Sequence, residues 1–73
     1  MSSLIICKSK ISNLFKKPNQ NSELISQLLF GEKFIIQKKI KDYYKGYCTF
    51  DNYSGYVKIN NFEKTKKTKL YKI

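Results

Sequence analysis

The sequence predicts an all-β fold: a small barrel or rolled sheet of about five short strands. Three observations carry this. Aromatic and β-branched residues dominate the apolar set. Short runs of strand-like residues recur, each bounded by Gly, Pro, Asn or Asp. The chain has 73 residues, enough for one small domain that buries only about 60% of the surface its unfolded form exposes. So thin a core leaves little room for an enclosed catalytic cavity, and a ligand is expected in a shallow surface groove.

The elements follow in order. Met1 to Ser3 is a short leader, and Leu4 to Cys7 reads as the first strand. "KSKISNLFKKPNQNSE", Lys8 to Glu23, is polar and broken by Pro18, Asn19 and Asn21, so it reads as a long loop with Ile11, Leu14 and Phe15 as apolar anchors. Leu24 to Leu29 looks helical in spacing. Gly31 and the β-branched "KFIIQKKI" that follows favour a strand, a turn at Phe30–Gly31 and a second strand from Lys33 to Lys39. In that second strand Phe34 and Ile36 are expected to face the core.

"DYYKGYCTF", Asp42 to Phe50, alternates as a strand, with Tyr43, Lys45, Tyr47 and Thr49 on one face. Tyr44, Gly46, Cys48 and Phe50 take the other. Gly46 inside a strand indicates a bulge or a close backbone approach. Asp51–Asn52 supplies a two-residue reversal, because both residue types tolerate the left-handed conformation. "YSGYV" is the return strand, and "KINNF" a single 3₁₀ turn near the C-terminal end. Residues 1–62 thus form the barrel. Residues 63–73 are a lysine-rich linker or the start of a following segment, with Leu70, Tyr71 and Ile73 apolar again.

Charge and chemistry narrow the function. The net charge is +10, all from lysine, since arginine is absent. A basic balance permits an anionic partner such as nucleic acid. Bidentate phosphate and guanine recognition is arginine's speciality, so solvated lysines are the better account. There is no histidine and no C-x-x-C pair, and the five carboxylates are scattered. No metal and no cofactor are expected. Without histidine, neither Cys7 nor Cys48 has a catalytic partner, and the chain itself reads as non-enzymatic. The two cysteines read as packed strand residues, although a disulfide between them is compatible with the sequence. "LIIC" has the look of a lipoprotein cleavage box, but the charged and apolar segments that must precede one are missing. No stretch is long enough to span a membrane. With no export signal in view, the cytoplasm is the default location.

The order of these pieces resembles the bacterial SH3 domain. The matching residues are Asn13–Leu14, Pro18, "SELISQLLFGE" from Ser22 to Glu32, Tyr43 where tryptophan is usual, and Gly55-Tyr56-Val57. "SQLLFGE" with "DNYSGYV" is similar to the N-terminal SH3 domain of NlpC-type peptidoglycan endopeptidases, over roughly Ile11 to Phe62. The chain differs in carrying Phe15 where the family has an arginine, and tyrosine rather than tryptophan at Tyr43 and Tyr56.

The resemblance implies an SH3-like barrel that recognises or docks. It would bind a peptidoglycan stem peptide, or shape the cleft of an attached cysteine peptidase domain, at the cell envelope. The candidate ligand-binding residues are Tyr43, Tyr56, Asn13, Phe15 and Tyr44. Tyrosine offers a flat apolar face and a hydroxyl at low entropic cost, but cross-strand packing accounts for Tyr43 and Tyr56 equally well. Tyr47 reads as packing, and Lys16 and Lys17 as solvated charges. A nucleic-acid-binding barrel is the alternative. A proline-rich peptide groove ranks last, because such grooves need acidic loops.

Overall fold

The computed structural model describes residues 3–64. They form seven antiparallel strands and one 3₁₀ turn, consistent with a small SH3-like barrel. The strands are β1 (Ser3–Cys7), β2 (Ile11–Phe15), β3 (Leu24–Leu29), β4 (Lys33–Ile40), β5 (Tyr43–Cys48), β6 (Ser54–Lys58) and β7 (Phe62–Lys64). The 3₁₀ turn, Ile59–Asn61, sits between β6 and β7. The sheet order is β3-β2-β6-β5-β4-β1-β7.

The core follows from strand parity. On β4, Phe34 is in register with Ile5 of β1 on one side and Cys48 of β5 on the other, and all three are buried. Leu14, Leu28, Val57 and Phe62 complete the cluster, with Ile36 and Tyr44 packed against it. Phe34 and Phe62 meet at 5.9 Å between ring centroids. Each such large apolar side chain stabilises the fold by about 1.5–3 kcal/mol when fully buried.

Two glycines let strands approach. A Cβ at Gly46 would collide with the Ile35 carbonyl oxygen and lie 2.8 Å from Phe34 Cε2. Opposite it the register slips between Ile36 and Lys38, a bulge on β4 that leaves Gln37 without a ladder partner. The bulge and the close approach expected at Gly46 therefore occur together. A Cβ at Gly55 would lie 2.6 Å from the Phe15 carbonyl oxygen and 3.0 Å from Leu14 Cγ. Gly55 is what lets β6 lie against β2, where a single registered pair, Phe15 with Tyr56, forms the ladder between the two strands.

Several expectations need correction. The region Lys8–Glu23 is not one long loop, because β2 runs through it. Its alternation was concealed because both of the neighbours Leu14 and Phe15 are buried, Leu14 in the core cluster and Phe15 on the other face against Tyr43. Buried Ser12 faces inward as well, and its hydroxyl accepts a bond from Asn61 Nδ2 at 3.2 Å. With β2 and β7 added, the strand count exceeds the expected five.

The reversal at Asp51–Asn52 is also wider than a two-residue turn. Strand β5 ends at Cys48, so Thr49 and Phe50 belong to the connection, and Phe50 is 81% exposed rather than core-facing. The Cys48 N–H donates to the Tyr53 carbonyl, and Asn52 adopts a φ of 62°. The tight two-residue turn is instead Lys41–Asp42, where Ile40 pairs with Tyr43 and Lys41 has a φ of 52°. Strand β7 carries Glu63 and Lys64 onto β1. The linker expected over 63–73 lies beyond the described residues from position 65 on.

Candidate functional site

A cleft of about 450 Å³ opens where β2, the loop that follows it, β6 and the 3₁₀ turn converge. Its lining residues are Asn13, Phe15, Gln20, Asn21, Lys58 and Asn61. Asn13 and Phe15 are two apart on β2 and share its outer face, while Ser12 and Leu14 are buried on the inner one.

The loop over residues 16–23 is closed by its own hydrogen bonds. The Lys16 N–H donates to the Glu23 carbonyl at 2.9 Å, and the Lys17 N–H to Ser22 Oγ at 2.8 Å. The Asn21 N–H donates to Asn19 Oδ1 at 2.8 Å. These bonds hold Gln20 and Asn21 at the rim. On the opposite wall Asn61 is fixed from both ends of its carboxamide. Ser9 Oγ donates to its Oδ1 at 3.0 Å, and its Nδ2 donates to Ser12 Oγ. Its carbonyl also accepts the Lys8 N–H.

Lys58 supplies the cleft's one charge among the lining residues. It faces outward on β6, in register with Tyr43 of β5, and its Nζ lies 5.7 Å from the centre of the Tyr43 ring. Among the described residues the one ion pair is Lys16–Glu23, which is exposed, so Lys58 has no carboxylate partner there.

The five expected site residues divide. Asn13 and Phe15 line the cleft directly. Tyr43 stands behind Phe15: it is only 7% exposed, and its ring meets that of Phe15 nearly at right angles. Tyr43 is therefore a buried support and not an open shelf. Tyr56 is half-buried on the outer face of β6, paired with Phe15 and Lys45, diagonally across from Tyr43. Tyr44 points the other way and packs on the core. Phe15 is 6% exposed, not the part-exposed loop residue its neighbourhood implies, whereas Phe30 is 73% exposed in its turn. Lys58, Asn61, Gln20 and Asn21 were not anticipated. The one available signal was parity, which turns Lys58 outward once Val57 points in.

A second, shallower concavity of about 560 Å³ runs along edge strand β3, lined by Leu24, Ile25, Ser26, Gln27 and Leu29. None of the expected site residues borders it.

Neither cysteine offers reactive chemistry. Both are free and buried. Burial pushes the Cys7 thiol up, opposed by a hydrogen bond with the Ser9 backbone and aided by Glu32. Burial first, then the nearby Asp51 and Glu32 charges, push Cys48 up to about 11. Both thiols therefore stay protonated at neutral pH, and a thiol is a poor nucleophile. Among the described residues no group of Cys, Asp and Glu is placed to hold a metal ion. No helix among them is long and apolar enough to cross a membrane.

Comparison with curated proteins gave no match, nor did comparison with solved structures. The family model of the bacterial dipeptidyl-peptidase SH3 domain matches residues 14–62, most of the chain. That span covers β3 to β6, the 3₁₀ turn and part of the cleft. An SH3 domain of a peptidase family is a non-catalytic binding module. From Leu14 to Phe62, then, this chain belongs to the bacterial dipeptidyl-peptidase SH3 domain family.

Proposed function

We propose that the domain is a cell-wall recognition or docking module of an NlpC-type cysteine endopeptidase. It binds the peptidoglycan stem peptide, or shapes the substrate cleft of an attached catalytic domain. The observation that carries this reading is the cleft itself. Carboxamides from three separate segments, an aromatic floor at Phe15 and one ammonium converge there. Side-chain amides and an apolar floor suit an extended peptide, whose backbone offers both donors and acceptors. Family membership supports the reading, because the matched family is described as the SH3 domain of a bacterial dipeptidyl-peptidase.

Co-sedimentation tests it. The domain, incubated with purified insoluble peptidoglycan, is expected in the pellet, and enzymatic removal of the stem peptides should release it. A domain that stays in the supernatant at every peptidoglycan concentration would rule out recognition. A pellet fraction unchanged by stem-peptide removal would move the contact to the glycan.

A further inference from the structure

We infer that the cleft is a carboxylate receptor: Lys58 and Asn13 grip a free carboxylate of the bound peptide. The inference rests on the recognition reading above and specifies what that site selects.

The argument is an inventory of donors and acceptors. Asn61 has both ends of its carboxamide engaged, by Ser9 and Ser12, so it is held in place with one N–H left over. Asn13 Oδ1 accepts from Gln27 Nε2 at 3.1 Å. What Asn13 has left to offer is the pair of N–H donors on Nδ2. Lys58 is donor-only and carries the charge. Half-buried and without a carboxylate partner among the described residues, it has its ammonium placed by the Tyr43 ring instead. No acidic residue lines the cleft. A cleft lined by one ammonium and by the N–H pair of Asn13, with no acid among its lining residues, fits an anionic acceptor with two oxygens. The carboxamides of Gln20 and Asn21, which also line the cleft, pair with peptide groups and favour a peptide carboxylate over inorganic phosphate.

The test uses the isotope-labelled 73-residue chain. It is titrated with a muropeptide bearing free carboxylates, with the same muropeptide converted to carboxamides, and with inorganic phosphate. The free-carboxylate form is expected to bind about tenfold tighter than the amide form, equivalent to about 1.4 kcal/mol. Shifts should concentrate at Asn13, Phe15 and Lys58, and phosphate should not compete.

Lys58→Met keeps an apolar stem over Tyr43 and should erase the difference between the two muropeptides. Lys45→Met, outside the cleft, should preserve it. Equal binding of both muropeptides to the unaltered chain would overturn the carboxylate assignment and leave peptide recognition standing. No binding of either would remove both. Equal losses in the two lysine variants, shifts centred elsewhere, or effective competition by phosphate would each overturn the assignment.

Discussion

The rings of Phe15 and Tyr43 meet at 78° with their centroids 6.0 Å apart, although β2 and β5 are not neighbours in the sheet. The contact passes over β6 and sets the floor of the cleft on a rigid support. Edge-to-face pairs contribute about 0.5–1.5 kcal/mol beyond their buried area. A double-mutant cycle with Phe15→Leu and Tyr43→Leu should return a coupling in that range by denaturant unfolding. A coupling near zero would mean that the two rings are merely adjacent.

Gly55 controls barrel closure. Any side chain there must displace the Phe15 carbonyl and Leu14. Gly55→Ala should cost about 1–3 kcal/mol, and Gly55→Val more, in chemical denaturation. The loss should appear with weakened protection of the Phe15 and Tyr56 amides. A Gly55→Val variant as stable as the parent would contradict the close approach.

Lys41 holds a left-handed backbone at φ 52° in the β4–β5 turn. That conformation costs a side-chain-bearing residue about 1–2 kcal/mol, which glycine avoids, while glycine gives back about 0.5–1 kcal/mol in entropy. Lys41→Gly should therefore raise stability by about 0.5–1 kcal/mol and raise Tm in a thermal melt. A lower Tm would show that Lys41 makes compensating interactions.

Cys48 links stability to alkaline pH. Its folded thiol ionises near 11, above the ordinary 9.0. Between those values the unfolded chain releases the proton while the folded chain keeps it, so stability falls as pH rises. Its contribution is intact below about pH 9 and is lost through pH 11. Urea unfolding across this window should show a steeper decline for the parent than for Cys48→Ala. Parallel profiles would place the dependence on other groups.

The sequence revealed the framework well where side-chain chemistry spoke locally. Leu24–Leu29 is a strand over the expected residues, and Phe34 is buried as its β-branched setting required. The 3₁₀ turn, the inward Val57 and the tight contact at Gly46 were equally legible. Strand β2 was not, because two successive residues are buried on opposite faces and a serine faces inward with a distant asparagine as partner.

For the site, Asn13 and Phe15 were found through resemblance. Lys58 and Asn61 are brought to them only by tertiary closure, across more than forty residues of chain. Tyr44 shows the limit of composition: five tyrosines crowd two strands and their connection, and parity sends this one to the core.

The β2–β3 hairpin meets β6 through one ladder pair, but Leu14 and Leu28 plant it in the shared core. Asn13 and Phe15 stand on that hairpin, and Lys58 stands on β6 across the seam. Anything seated in the cleft rivets the two together. Occupancy would therefore be legible as slowed amide exchange along β2 and β3, even where it leaves the average structure unchanged.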